Sequence, residues 1–551
     1  MYTATPTDDP APPGYRKTSS AAAAVFPTGD DRRRSTGTIR GRFRRFLAWS
    51  GVAVTLIAGA GVALVVDTSH GTPSASTVDE RAVSYVGEQL RAQGAPDSAF
   101  AVVRDGRVID SATIGDGVTV DTPFLLGSLS KSFTALAVMQ LVDEGVVGLD
   151  DPVTRYIRWF RTANPSAVIT VRQLLDQTSG LPTWAGTVDL TRPDTTLEHR
   201  VRQVADVEPV TTPGAAFHYC NTNYATLGLL VEKVTGMRYA DYLRQQILDP
   251  LDMHRTFTNY ADARRAGLVN GSAILLGVHI SRTPIDFPCA LPDGTLVSTV
   301  GDLAHYIQAQ RDGTFSGRRI ISERSLLLMH TGVARDDQGS GYAFGWRDAR
   351  VNGQRVIQHE GDLSNFHSDL GMLTGADRAL VVLTANNDQT FDVSAPYTGG
   401  LQILSGSPIP DIDNSYLIGQ AATSAAAIIT LLLLAGGTVG LVRRVRRVRT
   451  TNRSWIRFVG IPALAYWAAS IGLVALVYFG LQAALHDVVV VSPALLFASL
   501  PGVSTIVTFA AGWFTLAGVT MLVVGIPRRR REGLTGWTEV HVVHPPRSGA
   551  S

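Results

Sequence analysis

The 551-residue chain is 45% hydrophobic and 17% charged. It is longer than one ordinary domain and too apolar for a disordered or fibrous protein. Its two cysteines exclude a disulfide-stapled miniprotein and a multi-cysteine zinc module, and its net charge of +2 hides a division along the chain.

Residues 67–415 hold 28 Arg and Lys against 40 Asp and Glu, a balance of −12, while the remainder holds 21 against 7, a balance of +14. A mildly acidic middle argues against a nucleic-acid partner. The basic remainder flanks long apolar runs, which points to a lipid bilayer.

Residues 1–45 are rich in Pro, Ala, Ser, Thr and Arg without hydrophobic period, and read as a disordered cytoplasmic tail. Phe46 to Val66 (residues 46–66) is uncharged and long enough to span a bilayer. Arg40, Arg42, Arg44 and Arg45 place its start in the cytoplasm. The run exceeds the apolar core of a cleaved signal peptide, so an uncleaved anchor is expected. Residues 78–410 then form an outer domain. Ser98–Val103 and Val108–Ile114 predict a hairpin about Asp105-Gly106. Ser130–Glu144 is apolar on most faces, which predicts a buried helix stopped by Gly145. Asn223–Thr235, closed by Gly236, repeats the pattern. Gln354–Gln358, Ser368–Leu373 and Ala379–Thr384 predict three late strands.

Residues 417–526 predict three further spans, at Leu417–Val442, Phe458–Ala484 and Gly502–Ile526, with 527–551 a second cytoplasmic tail. Arg-rich segments at 443–457 and 528–531 fall on the cytoplasmic side if the domain lies outside. The spans carry no charge, so anchoring is favoured over transport. Strands at both ends of the domain with helices between predict an α+β fold: an antiparallel sheet, flanking helices and a helical subdomain, beside about four transmembrane helices.

Three constellations could carry chemistry. Ser128-Leu129-Ser130-Lys131 sits at a helix start, where three-residue spacing brings the hydroxyl and amine together. A neutral Lys there takes the Ser proton. Lysine is scarce, at Lys17, Lys131 and Lys233 alone. Tyr219-Cys220-Asn221 precedes the second buried helix. A phenol beside an ammonium ionises more easily and serves as acid or base. Asn221 would orient Lys131 or hold a substrate carbonyl, the alternative being a helix cap beside a core Tyr. His359-Glu360-Gly361 ends a predicted strand, where an open edge binds extended substrate. The N–H groups of Asp362 and Ser128 would then form an oxyanion hole. A His-Glu-x-x-His zinc motif is excluded by Leu363.

In this order the three motifs resemble the serine β-lactamase and penicillin-binding-protein superfamily. The Tyr-x-Asn version resembles class C β-lactamases, D-alanyl-D-alanine carboxypeptidases, related esterases and D-aminopeptidases. FLLGSLSK at 124–131, LVDEGVVGLDDPV at 141–153, ITVRQLLDQTSGLP at 169–182, PLDMHRT at 250–256 and LVSTVGD at 296–302 add to the likeness. It covers about residues 80–400.

The resemblance implies a β-lactamase/transpeptidase-like fold with no cofactor and no metal. It implies Ser128 as acylated nucleophile, with Lys131 and Tyr219 sharing proton transfer. Asn221, His359 and Gly361 would contact substrate, His359 holding the tyrosine proton network or a substrate carboxylate. Three residues depart from the pattern. Gln177 stands where relatives often carry His, and Asn365 where Gly often precedes an aromatic. Asp362 puts a carboxylate beside the proposed oxyanion. His359 itself is commoner in the esterase and peptidase branches. Spacing alone leaves open whether Cys220 and Cys289 pair. The expected partner is a small-molecule or peptide substrate, such as peptidoglycan. The alternative is a non-catalytic cell-wall peptide or β-lactam sensor that signals through the spans.

Overall fold

The computed structural model describes residues 77–414 except 187–193, 276–277, 337–338 and 388–392, together with 439–440, 443, 510–517 and 519. The expected tails 1–45 and 527–551, the anchor Phe46–Val66 and the span Phe458–Ala484 lie outside the described residues. So does most of Leu417–Val442 and Gly502–Ile526. Among the described residues no helix is long and apolar enough to cross a membrane.

The domain opens with helix α1 (Val78–Ala92). A capping box starts it: the Thr77 hydroxyl accepts from the Glu80 N–H at 3.2 Å, and the Glu80 carboxylate accepts from the Thr77 N–H at 2.9 Å. Strands β1 (Ser98–Arg104) and β2 (Arg107–Ile114) follow as the expected hairpin. Asp105 and Gly106 turn it with φ of 49° and 69°, the paired left-handed geometry of a two-residue loop. Helix α2 (Ser130–Asp143) leads into a helical region that includes the short α3 (Leu197–Arg202), α4 (Asn221–Thr235) and α5 (Val300–Asp312). The chain then returns to the sheet through β3 (Ala334–Arg335), β4 (Gly341–Tyr342), β5 (Arg347–Val351), β6 (Gln354–Leu363), β7 (Phe366–Leu373) and β8 (Arg378–Thr384). Helix α6 (Ala395–Leu404) closes the domain.

Among the described residues the main sheet has eight strands in the order β2-β1-β8-β7-β6-β5-β4-β3. Every pairing in it is antiparallel. Early and late strands therefore meet at β1 and β8, as the strand pattern predicts. Each face of the sheet buries its own apolar layer. Phe100, Val102, Val356, Leu380 and Val382 pack with Val86 and Leu90 of α1 and Leu401 of α6. Ala99, Ala101, Ile357, Leu370 and Val381 pack toward α2 and the helical region. Asp79 of α1 pins the first layer through ion pairs to Arg104 and Arg378, at 3.0 and 2.5 Å.

Two features place the site. Helix α2 is buried on nearly all sides, so residues at its start are held by packing rather than by one face. And β6 outruns β5. Pairing with β5 begins at Arg347↔Gln358, whereas pairing with β7 continues to Leu363↔Phe366. Residues 359–363 thus lack a β5 partner and form an open edge. The short 3₁₀ turn Gly127–Leu129, which leads into α2, lies against this stretch. The approach is close because both chains use glycine. Gly127 has φ +52°, and a Cβ on it would fall 2.6 Å from the Gly361 carbonyl carbon.

A methyl group on Gly361 would overlap the Leu126 carbonyl oxygen and crowd Ser368 Oγ at 2.5 Å. Gly361→Ala is therefore expected to cost about 1–3 kcal/mol of stability, typical of overpacking. A thermal melt checks it: an unchanged Tm would show that the two backbones do not meet this closely.

Candidate active site

Ser128 occupies the 3₁₀ turn and keeps some exposure, while Lys131 one turn later is fully buried. The Lys131 amine lies 2.8 Å from Ser128 Oγ and 2.7 Å from the Asp293 main-chain oxygen. The rings of Tyr219 and Tyr224 flank it, with centroids 4.9 and 5.9 Å away. Among the described residues no carboxylate forms a salt bridge with it. Burial therefore drives its pKa down to about 7, with the charge of Arg200 adding to the fall and Asp293 opposing it. At neutral pH a large fraction of the amine is uncharged and able to accept the Ser128 proton.

Tyr219 lies half-buried just before α4, with its hydroxyl bonded to the Ser128 side chain. Easy ionisation is not what the geometry allows. Burial, with the nearby Tyr342, raises the phenol pKa well above its ordinary value despite the Ser128 bond. Tyr219 is held as a proton donor.

Asn221 is the first residue of α4, not its cap; that position belongs to Cys220. The Asn221 Oδ1 atom is buried and has no hydrogen-bond partner. Gln177 explains its own departure from the pattern. It is buried at φ 60°, and its Oε1 accepts from the Cys220 N–H at 3.0 Å and from Asn223 Nδ2 at 2.5 Å. It is a brace for the start of α4. Cys220 and Cys289 are both buried free thiols.

His359 is 1% exposed on β6. Its Nδ1 meets the Glu360 carbonyl at 2.5 Å and must donate there, which leaves Nε2 to accept from the Tyr342 hydroxyl at 3.2 Å. Burial pushes its pKa down to about 4, and Arg347 and Lys131 lower it further against the opposing pull of Glu360. A neutral ring with Nε2 turned to Tyr342 offers no positive charge in this arrangement. Its tyrosine contact is with Tyr342, whose ring sits edge-on to Tyr219 at 6.1 Å. The missed Tyr342 had a weak signal, the aromatic and glycine run 341–346.

Gly361 abuts the Ser128 turn, and a Cβ on Gly127 would lie 2.8 Å from the Asp362 nitrogen. The two proposed oxyanion donors are thus on touching backbones. Asp362 does not spoil the arrangement. Strand alternation sends Glu360 and Asp362 to the face opposite His359 and Gly361. There Asp362 Oδ1 accepts from Asn387 at 3.0 Å and from His367 Nδ1 at 2.7 Å. His367 Nε2 in turn donates to Asp369 at 2.8 Å. Burial opposes a charge on His367, but Asp369 and Asp362 outweigh it and hold the ring as an imidazolium. Glu360 is matched likewise. Burial opposes its ionisation, but His359 and Arg347 bring its pKa down to about 2, with Arg347 Nη2 at 2.7 Å. Arg347 also pairs with Asp336. Asn365 sits in the β6–β7 turn, packed against Gly271.

Residues 82–402 match the Beta-lactamase family. The chain is 30% identical over 337 residues to Penicillin-binding protein 4 of Amycolatopsis lactamdurans, which covers 58% of this chain and 88% of that one. It is 27% identical over 307 residues to Protein flp of Staphylococcus aureus strain MW2, covering 53% of this chain and 60% of that one. The octameric penicillin-binding protein homologue from Pyrococcus abyssi superposes with a TM-score of 0.54 at 26% identity, over 60% of this chain and 78% of that one. A buried Lys against a Ser, a Tyr-x-Asn helix start and a glycine-lined strand edge on this scaffold lead to one assignment: the chain belongs to the beta-lactamase family, a serine-hydrolase-like family that includes penicillin-binding protein homologues.

Proposed function

We propose that the chain is a membrane-anchored, extracytoplasmic serine hydrolase that works through an acyl-enzyme on Ser128. The observation that carries this reading is the 2.8 Å contact between Ser128 Oγ and a buried Lys131 amine whose pKa is near 7. Lys131 takes the hydroxyl proton as Ser128 Oγ attacks the substrate carbonyl. The N–H groups of Ser128 and Asp362 receive the developing oxyanion. Tyr219 protonates the leaving group and regains its proton from Lys131. In the second half water attacks the acyl carbon while its proton passes to the neutral Lys131 amine, relayed by the Tyr219 hydroxyl, and Lys131 then returns that proton to Ser128 Oγ as it leaves. Asn221, with its free buried Oδ1, and the open edge at Gly361 hold the substrate. No step calls for a cofactor.

The substrate class is a peptide, amide or ester, with cell-wall D-amino acid peptides as the biological candidate. The similarity to a penicillin-binding protein and the Arg-flanked apolar runs support a site facing the cell wall, with both termini cytoplasmic.

Ser128→Ala is expected to reduce turnover of an activated p-nitrophenyl ester by at least ~10³-fold. Wild-type acylation is expected to rise as pH increases through 7, because the neutral, proton-accepting amine gains population in that direction. Equal turnover in Ser128→Ala would remove the hydrolase reading.

The charges on the described residues also set a preference. His359 is neutral and Arg347 is committed to Glu360 and Asp336. Of two D-alanyl thioesters differing only in a free or methylated leaving-group carboxylate, the methylated one is expected to show about tenfold higher kcat/KM. Preference for the free acid would contradict this.

A further inference from the structure

Arg200 and Asp293 form a buried ion pair far apart in sequence. Their side chains are each 4% exposed, and Arg200 grips both carboxylate oxygens, at 2.6 and 3.0 Å. The same guanidinium donates to the main-chain oxygens of Cys289 at 2.9 Å and Gly186 at 3.1 Å. Such a pair adds little net stability over well-packed apolar residues, because desolvation offsets the attraction. What it fixes in space is more telling.

Asp293 carries on its own backbone the oxygen that receives Lys131. A neutral amine has two N–H bonds and one lone pair. To take a proton from Ser128 its lone pair must point at Oγ, so an N–H must be accommodated elsewhere. The Asp293 carbonyl does that, and the Arg200 fork holds that carbonyl still. The neighbouring Pro292 carbonyl is tied to α2 as well, by Thr134 Oγ1 at 2.6 Å. Gly186, Arg200's other acceptor, packs against the start of α4: a Cβ on it would lie 2.5 Å from the Asn221 nitrogen. One guanidinium thus links the segments bearing Lys131's acceptor and Asn221.

We propose that Arg200 and Asp293 are a positioning pair that aims the Lys131 amine at Ser128, with the Arg200 charge offsetting that of the Asp293 carboxylate beside the amine. The proposal rests on the hydrolase reading above. The groups facing Lys131 are the Ser128 hydroxyl, the Tyr219 and Tyr224 rings, the Cys220 thiol and His359, with the charges of Asp293, Arg200 and Glu360. The Arg200–Asp293 pair can be neutralised from either side without touching the reacting groups.

The test follows the labelling of Ser128 by a fluorophosphonate in the full-length chain. Ser128 Oγ displaces fluoride at phosphorus and its proton passes to Lys131, so the rate constant follows the neutral amine. Rate constants are read from pH 5 to 10 for wild type, Arg200→Gln, Asp293→Asn and the double variant; they do not depend on the folded fraction. Arg200→Gln leaves a buried carboxylate beside the amine and should raise the midpoint by about one pH unit. Asp293→Asn leaves a buried cation and should lower it by about as much. The double variant should return near the wild-type midpoint. If Arg200→Gln does not fold, the opposite displacement of Asp293→Asn and its reversal in the double variant still decide the matter. Four superimposable midpoints, with only stability or amplitude changed, would overturn the positioning pair while leaving the hydrolase intact. No wild-type adduct at any pH would overturn both.

Discussion

The arrangement depends on one constraint: an amine buried without a carboxylate partner must give up its charge. Lys131 is enclosed by the start of α2, the rings of Tyr219 and Tyr224 and the loop bearing Asp293. Each comes from a different part of the chain, so this enclosed amine exists only once α2, α4 and the Asp293 loop have assembled. The cost of burying Lys131 is what makes it useful, because a surface lysine would hold its proton and leave Ser128 an ordinary hydroxyl.

The charges around this centre are sorted by sheet face. The interior face of the β6 edge presents neutral groups, His359 and Gly361. The carboxylates of Glu360 and Asp362 lie on the other face, met by Arg347 and by the His367 imidazolium. An acidic stretch therefore coexists with a backbone edge that carries the proposed oxyanion donors. Tyr342 completes the sorting by closing over His359 and backing Tyr219.

Much of this was legible in the sequence where local rules are strong. Asp105-Gly106 marked the hairpin, and Gly145 and Gly236 marked helix ends with φ of 72° and 71°. The strands at either end of the domain pair as their pattern implies, and the three motifs converge on one site. Other features were legible but unused: the Thr77–Glu80 capping box announces α1, which hydrophobic pattern alone did not single out. Contacts set by tertiary structure could not be read. Nothing local couples Arg200 to Asp293, and nothing in His359-Glu360-Gly361 reveals that Tyr342 takes the imidazole. The ionisation of Tyr219 was misjudged for the same reason, since enclosure by distant segments outweighs one neighbouring amine.

The proposed chemistry turns on the charge of one amine, and the chain's scarcity of lysine makes that charge measurable. With Lys17, Lys131 and Lys233 its only lysines, full-length protein grown on ¹³C-lysine gives three side-chain signals, and Lys131→Met assigns the one that matters. The Lys131 ε-carbon is expected to titrate near pH 7. A midpoint near the ordinary lysine value of about 10.4 would contradict it, because a permanently charged amine cannot take the proton from Ser128.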